Sequence, residues 1–341
     1  MTTPPAPGDL LDVAVLGAGS WGTALAVHLA RSGHRAWLWG IETEELAAMV
    51  RDRVNRRYLP GAALPDGVAI EPDLARAVAA ASLLLVVVPS HAFREVLERV
   101  RPLLRHGQRI AWATKGFELA TGKLPHEVAT EVLGAGVPTA VLSGPTFAKE
   151  VGAGLPSAMT VASVDADYAL ALARSLSDQN FRAYASTDMI GVEVGGATKN
   201  VLAIGAGISD GLGFGANTRV ALITRGLAEM MRLGAALGAD RETFMGLAGL
   251  GDLVLTCTDD QSRNRRCGLA LAAGKSREEA QREIGQVVEG VLAAHAVRAV
   301  ARRVGVEMPI CEEIYRVLYE DKPPKNAVRA LMGRSVKAET D

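Results

Sequence analysis

One charged residue, Lys199, interrupts an apolar segment at residues 195–205 that reads GGATKNVLAIG. On a helix its neighbours three and four positions away are small or aliphatic: Gly195, Gly196, Leu202 and Ala203. We expect the two glycines to leave room for a substrate beside the lysine. In one interpretation the lysine stem lies along apolar surface while its ammonium reaches water. In the other, Lys199 is a buried amine that exchanges a proton with a substrate. Burial lowers the pKa of such an amine towards neutral pH, whereas a nearby carboxylate raises it.

A glycine motif, GAGSWG at residues 17–22, lies between a predicted strand and a predicted helix. Gly17 permits the tight turn, Gly19 lets a pyrophosphate approach the backbone, and Gly22 lets helix and strand pack closely. The N-terminus of the following helix directs its N–H groups towards the phosphates. In this strand–turn–helix setting the motif predicts a dinucleotide-binding site.

Polar residues follow several other predicted strands, and ligands of such sheets bind beyond the carboxyl ends of the strands. These segments are 89–91 (PSH), 114–116 (TKG) and 143–146 (SGPT). Lys115 stands out, since a cation at the end of an apolar strand is placed to meet a polarised substrate oxygen. The alternative is a solvated loop lysine. For His91 we favour a solvated loop residue, because nothing in the sequence supplies a partner.

The segment GLGDLVLTCTDDQSRNRRCG at residues 249–268 predicts a phosphate site. Asp252 lies between glycine and aliphatic residues, where a carboxylate requires a partner. Ser262 is a suitable N-cap for a helix that begins at Arg263. A helix N-terminus with Arg263 and Asn264 would cradle a phosphate, although an RNRR cluster can also be a solvated basic face.

The elements that must position these residues fall into two domains. In the first half, apolar strand-like segments alternate with helix-like segments, which indicates the α/β class with a doubly wound, mainly parallel sheet. After about residue 190 only helical periodicity remains, with Gly238 and Gly305 at positions typical of helix C-caps and Pro309 at a helix start. We predict a dinucleotide-binding domain at 11–193 and an all-α substrate domain at 194–335, between a disordered lead (1–10) and a disordered tail (336–341). Lys199 then lies near the domain boundary, a preferred place for ligand sites.

Composition favours a cytoplasmic protein that acts on small molecules. The chain has 341 residues and a net charge of −1, from 37 basic and 38 acidic residues, so no basic field favours nucleic acid or an anionic membrane. Three cysteines without a CxxC pair fit reduced thiols. The first ten residues lack the pattern of a signal peptide. The run LLLVVV is too short to span a bilayer, and no metal site is predicted.

Several of these motifs are long and specific, and together they resemble the bacterial NAD(P)-dependent sn-glycerol-3-phosphate dehydrogenases. They are GAGSWGTALA, VVVPSH, ATKGFE, SGPTFAKE, GGATKNVLAIGAGISDGLGFGAN and LAGLGDLVLTCTDDQSRNRRCG. The resemblance implies reversible oxidation of sn-glycerol 3-phosphate to dihydroxyacetone phosphate, which supplies glycerol phosphate for phospholipid synthesis. It also implies a Rossmann domain joined to a 6-phosphogluconate-dehydrogenase-like helical domain, in a homodimer.

The resemblance assigns roles residue by residue. Lys199 matches the catalytic acid/base. The implied substrate contacts are Lys115, Gly144, Thr146, Lys199, Asp252, Ser262, Arg263 and Asn264. The implied cofactor contacts are Gly17, Gly19, Ser20, Trp21, Gly22, Tyr58, Lys115, Ala148, Arg263, Val287 and Glu289.

The choice between NAD and NADP depends on the residues after the second predicted strand. A basic residue there would bind the 2′-phosphate of NADP, but this chain has Gly40-Ile41-Glu42. An acidic side chain favours the ribose diol of NAD. We therefore expect a preference for NAD or dual use. Nearby arginines that could supply a positive charge are Arg51, Arg53, Arg56 and Arg57.

Two alternatives stay open. Other β-hydroxyacid dehydrogenases share the two-domain plan and a helix lysine, but they act on carboxylates, whereas the SRNRR segment favours a phosphate. A non-catalytic NAD(H)-binding sensor would not need Lys115, Lys199 and Asp252 together.

Overall fold

The computed structural model describes residues 10–336 and residue 338. The predicted disordered lead and tail fall largely outside the described residues. The chain divides into two compact units. The first contains the described residues up to Glu118 together with Lys123–Glu193. The second contains Leu119–Gly122 and the described residues from Val194 onwards.

The first unit is built on an eight-stranded sheet with the order β10-β9-β8-β7-β6-β1-β2-β5. Its strands are β1 (Asp12–Leu16), β2 (Arg35–Trp39), β5 (Val68–Ile70), β6 (Leu83–Val86), β7 (Arg109–Trp112), β8 (Thr139–Ser143), β9 (Ser157–Ala162) and β10 (Phe181–Ser186). Neighbouring strands run parallel except β8 and β9, which are antiparallel. The predicted mainly parallel sheet is therefore confirmed.

Helices cover this sheet, as its continuous apolar strands require. They are α1 (Ser20–Arg31), α2 (Thr43–Asp52), α3 (Leu74–Ala80), α4 (Ser90–Val100), α5 (Pro125–Leu133), α6 (Ala148–Ala153) and α7 (Ala166–Leu176). The central strands β1 and β6 pair with each other and are almost entirely buried. The strand order changes direction here, so the carboxyl end of β1 lies where such sheets bind ligands.

A small hairpin in the first unit was not predicted. It pairs β3 (Val54–Asn55) with β4 (Leu59–Ala63) in antiparallel fashion. The segment NRRYLPG carries three polar residues and a proline, and it has no alternating apolar pattern that would indicate strands. The hairpin forms because Leu59 and Ala62 are buried and β4 packs against α6 and α1.

The second unit is helical, as predicted. Its helices are α8 (Met189–Gly211), which begins in the first unit, α9 (Ala216–Ala236), α10 (Asp252–Thr258), α11 (Arg263–Ala272), α12 (Arg277–Ile284), α13 (Glu289–Arg303), α14 (Pro309–Tyr319) and α15 (Pro324–Met332). Residues 194–209 of α8 are all buried. This explains why the segment around Lys199 is apolar all round, since a helix enclosed by other helices has no polar face.

Predicted helix ends in this unit agree with the structure. Gly238 and Gly305 have positive φ angles just after α9 and α13, and Pro309 is the first residue of α14. Among the described residues, the structure contains no helix with the length and apolar character needed to cross a bilayer.

Candidate functional site

The glycine turn at 17–22 has the geometry that a dinucleotide requires. Gly17 has a φ of 128°, and a Cβ there would lie 2.3 Å from the Val87 carbonyl oxygen. A Cβ at Gly22 would lie 1.8 Å from the Gly17 oxygen, so helix and turn are in backbone contact. A Cβ at Gly19, by contrast, would meet no described atom within 4 Å. The backbone is therefore open at the one position where a pyrophosphate must approach it.

The first turn of α1 follows directly from Gly19. The helix begins at Ser20, and among the described residues no side chain caps its N-terminus. Trp21 is half-buried and packs against the apolar core of the unit. Uncapped N–H groups at a helix N-terminus attract phosphate, so the residues present fit the diphosphate of NAD or NADP.

The other predicted residues of this unit also follow strand ends. Lys115 is half-buried three residues after β7. Gly144 follows β8 with a φ of 155°, and a Cβ there would lie 2.8 Å from the Met159 Cα. The Thr146 hydroxyl donates to the Gly144 carbonyl at 3.3 Å, and Ala148 begins α6. Sheet topology thus places these predicted residues at carboxyl ends of neighbouring strands.

Lys199 is buried and paired in the second unit. Only 7% of the residue is exposed, so the interpretation in which its ammonium reaches water is wrong. Its Nζ donates to the Asp252 carboxylate and, at 3.0 Å, to the Thr256 hydroxyl. Asp252 is 1% exposed, and this pairing explains a carboxylate among aliphatic neighbours. Thr256 also donates to the Asp252 backbone carbonyl at 2.6 Å, which fixes the Thr256 side chain on the face of α10 that carries Asp252.

A π-helical turn at Leu247–Gly251 sets the position of Asp252 at the start of α10. This turn packs directly on α8, because a Cβ at Gly195 would lie 2.5 Å from the Ala248 carbonyl oxygen. Sequence reasoning expected Gly195 to leave room for substrate, and that expectation is wrong. The missing side chain instead lets two backbones meet, which brings Asp252 to Lys199.

The predicted phosphate cradle lies at the N-terminus of α11. Ser262 is the N-cap, and its hydroxyl accepts from the Arg265 N–H at 3.2 Å, as predicted. Arg263 is half-buried and donates to Gln286 at 3.4 Å. Arg265 differs, because it is 9% exposed and pairs with Asp210 at 2.7 Å. The RNRR cluster is therefore only partly solvated, because Arg266 is exposed whereas Arg265 is a buried structural residue.

Asn264 belongs to a hydrogen-bond network that the sequence did not reveal. Its amide donates to the Asn200 oxygen at 2.8 Å, and its own oxygen accepts from the Gly290 N–H at 2.9 Å. Asn200 in turn donates to Glu289 at 3.2 Å. The network therefore joins the start of α11, the residue after Lys199 and the start of α13. Val287, two residues before α13, is 45% exposed.

Sequence reasoning missed Thr256 and Asn200. A signal existed for Thr256, which is four residues after Asp252 and hence on the same helix face. No feature of the sequence marked Asn200 other than its position beside Lys199, since only tertiary packing brings Asn264 into contact with Asn200.

A second buried ionisable cluster lies in the first unit. Glu193, 3% exposed, accepts from the Trp112 indole at 2.9 Å and contacts His126 Nδ1 at 2.6 Å. Burial opposes charge on His126, but the hydrogen bond and charge of Glu193 outweigh it, and the pKa of His126 is raised. The cluster anchors the first turns of α8 and α5.

The three cysteines are buried and unpaired. Burial raises the pKa of Cys257 to about 12 and that of Cys267 to about 11. Both thiols are therefore protonated and unreactive at neutral pH.

Comparison with known proteins identifies close relatives. Residues 12–169 and 188–329 match the N-terminal and C-terminal family models of NAD-dependent glycerol-3-phosphate dehydrogenase. A glycerol-3-phosphate dehydrogenase (NAD(P)+) of Aeromonas salmonicida is 58% identical over 332 residues, covering 97% of this chain and 99% of the relative. One from Serratia proteamaculans is 59% identical, covering 95% and 96%.

A solved structure gives the same result. The crystal structure of glycerol-3-phosphate dehydrogenase from Coxiella burnetii superimposes with a TM-score of 0.92 at 49% identity, covering 95% of this chain and 99% of that chain. These matches confirm the resemblance that the sequence motifs indicated.

Proposed function

Because the chain belongs to the NAD-dependent glycerol-3-phosphate dehydrogenase family, we propose that it interconverts sn-glycerol 3-phosphate and dihydroxyacetone phosphate with NAD(P)(H). The structural observation that carries this proposal is the buried Lys199 ammonium, which Asp252 and Thr256 hold in place. An amine so positioned suits proton transfer to a carbonyl oxygen. The reaction supplies glycerol phosphate for phospholipid synthesis.

The dinucleotide binds at the glycine turn. Gly19 provides the open backbone, and the uncapped N-terminus of α1 at Ser20 and Trp21 meets the diphosphate. When bound, the nicotinamide ring donates or accepts a hydride. We assign the remaining cofactor contacts as the family resemblance implies: Gly17, Gly22, Tyr58, Lys115, Ala148, Arg263, Val287 and Glu289.

The substrate phosphate binds at the N-terminus of α11. The Arg263 guanidinium supplies charge-assisted hydrogen bonds, and the helix end capped by Ser262 adds its positive dipole. Asn264, held by Asn200 and Gly290, fixes the first turn of this helix. Lys115, Gly144 and Thr146 complete the assigned substrate contacts.

Lys199 moves the proton. In the reductive direction a hydride adds to C2 of dihydroxyacetone phosphate, the C=O π bond breaks, and its electron pair becomes an alkoxide. The Lys199 ammonium donates one proton to that oxygen and becomes a neutral amine. The Asp252 carboxylate stabilises the ammonium before transfer. In the oxidative direction the neutral amine takes the hydroxyl proton while the hydride leaves C2.

We also infer the organisation of the protein. Residues 11–193 form the dinucleotide-binding domain and residues 194–335 the substrate domain. The protein is cytoplasmic and homodimeric, as the family resemblance implies. It binds neither nucleic acid nor the interior of a membrane, in keeping with its net charge of −1.

Measuring the oxidation of NADH and NADPH side by side, with dihydroxyacetone phosphate as acceptor, tests this function. We expect both cofactors to support turnover, with NADH at least equal to NADPH. Turnover of 2-keto acids in place of the phosphate ester would point to another β-hydroxyacid dehydrogenase. Cofactor binding without turnover of any acceptor would point to a sensor.

A further inference from the structure

The carboxyl end of β2 lies directly beside the glycine turn. Trp39 pairs with Leu16, and the Gly17 N–H donates to the Trp39 carbonyl at 2.8 Å. A Cβ at Gly40 would lie 2.9 Å from the Ala18 Cβ, so the two segments are in contact. Two residues further on, Glu42 ends this loop as the N-cap residue of α2.

Glu42 is engaged by two side chains of the loop between β3 and β4. The Tyr58 hydroxyl donates to Glu42 Oε1 at 2.8 Å, and an Arg57 guanidinium nitrogen lies 3.3 Å from the same oxygen. Arg57 also contacts Glu45 at 3.3 Å, and its guanidinium carbon lies 5.1 Å from the centre of the Tyr58 ring. The negative charge of Glu42 thus has a positive counterpart in contact with it.

This loop is fastened to the glycine turn through Asn55. The buried Asn55 amide donates to the Ala18 carbonyl at 2.9 Å and to the Thr23 hydroxyl at 2.8 Å. Its oxygen accepts from the Tyr58 N–H at 3.0 Å. Arg57 and Tyr58 are therefore held at a fixed position relative to the turn that binds the dinucleotide.

The other three nearby arginines have different contacts. Arg51 and Arg56 both pair with Asp52, at 3.0 and 2.9 Å. Arg53 donates to the carbonyls of three residues, Leu64, Pro65 and Val68. Of the four, Arg57 is the one in contact with Glu42. Its side chain is 53% exposed, so it remains accessible to a ligand.

We propose that Arg57 is the residue that admits NADPH, by exchanging its contact with Glu42 for one with the 2′-phosphate. Glu42 accepts hydrogen bonds from the ribose diol when NADH is bound. When NADPH is bound, the Arg57 guanidinium donates to the 2′-phosphate instead of contacting Glu42. Glu42 then keeps its hydrogen bond from Tyr58. This inference rests on the proposed dinucleotide site and adds the residue that sets its cofactor choice.

Equilibrium binding tests the inference without turnover. Kd values for NADH and NADPH are measured by fluorescence titration for the unaltered protein and for Arg57→Ala, Arg56→Ala and Glu42→Gln. Arg57→Ala should weaken NADPH binding about tenfold or more, the usual loss for charge-assisted hydrogen bonds, and change NADH binding less than about twofold. Glu42→Gln should strengthen NADPH binding by about tenfold, because it removes the repulsion.

Arg56→Ala is the matched control, since Arg56 adjoins Arg57 in the chain but pairs with Asp52. It should leave the ratio of the two Kd values unchanged. Equal effects of Arg57→Ala on both cofactors, or no effect on either, would overturn the inference. Failure of the unaltered protein to bind NADH would instead overturn the proposed function, so the two failures are distinguishable.

Discussion

Lys199 and Asp252 form an ion pair that is almost closed to solvent, with side-chain exposures of 9% and 2%. They are 53 positions apart in the chain and lie on different helices, which the contact between Gly195 and Ala248 brings together. A charged pair at this depth must be complete, because either partner alone would be a buried, uncompensated charge. The same pair positions and charges the amine that we assign to proton transfer.

Asp252→Asn should change the pH profile of dihydroxyacetone phosphate reduction. Loss of the carboxylate favours the neutral amine, whereas reduction requires the ammonium. We expect the pH at which the reductive kcat falls to half to move down by about one unit or more. Initial-rate measurements from pH 6 to pH 10 would check this.

Thr256→Val is the control for that experiment. It removes the 3.0 Å hydrogen bond to Lys199 but leaves the charges unchanged. Its midpoint should move far less than that of Asp252→Asn, because the lost partner is a neutral hydroxyl and not a charge, even if kcat itself declines. If Asp252→Asn left the midpoint of the pH profile unchanged, Asp252 would not control the protonation of the Lys199 amine.

Arg263→Ala should impair recognition of the phosphate. Charge-assisted hydrogen bonds contribute roughly 1.5–3 kcal/mol, so kcat/KM for dihydroxyacetone phosphate should fall by about one to two orders of magnitude. Unphosphorylated dihydroxyacetone should lose far less. Arg266→Ala, an exposed neighbour on the same helix, should affect neither substrate. An equal loss for both substrates with Arg263→Ala would make Arg263 a folding residue.

Glu229 should give the protein a pH-dependent stability. It is 2% exposed, and burial raises the pKa of its carboxyl to about 7, against the hydrogen bonds donated by the Ile310 and Cys311 N–H groups. Between the ordinary value of 4.5 and about 7, the native state holds a proton that the unfolded state has lost. The free energy of unfolding should therefore fall, by on the order of 3 kcal/mol, as the pH rises through this window.

Urea denaturation at pH 5, 6, 7 and 8 would measure this effect. Glu229→Gln cannot titrate, so its stability relative to the unaltered protein should improve steadily up to about pH 7 and then level off. Glu307→Gln, at a carboxylate that is 72% exposed, should show a constant difference. If the difference in free energy of unfolding between Glu229→Gln and the unaltered protein also stayed constant with pH, the raised pKa of Glu229 would be contradicted.

The sequence predicted the elements near the site better than the contacts within it. Local signals are sufficient for the glycine turn, for the Ser262 cap and for Pro309 at the start of α14, because each depends on a few adjacent residues. The β3–β4 hairpin was missed, since packing against α6 and α1 stabilises it more than any alternation of its own residues.

Side-chain pairing was harder to predict. The sequence indicates that Asp252 needs a partner. It does not indicate that the partner is Lys199, because this pairing depends on how α8 packs against the π-helical turn. The prediction that Gly195 leaves room for substrate was wrong for the same reason. A sequence does not show whether substrate or backbone fills the space beside a glycine. Arg265 likewise resembled its neighbours in RNRR until tertiary packing placed it against Asp210.

Lys199 is buried in an ion pair, so a neutral substitution at this position would affect stability as well as proton transfer. Lys199→Met would leave the Asp252 carboxylate buried without a cation, at a cost of about 3–5 kcal/mol, so a loss of activity could reflect unfolding. Lys199→Arg keeps the positive charge beside Asp252. A guanidinium stays protonated at any working pH, so it cannot serve as a base.

The most direct test of Lys199 as the acid/base is therefore kcat for sn-glycerol 3-phosphate oxidation by Lys199→Arg, measured together with its Kd for NADH. We predict that kcat falls by about two to four orders of magnitude, the usual contribution of a general base, while the Kd for NADH changes less than about twofold. A kcat close to that of the unaltered protein would contradict the assignment.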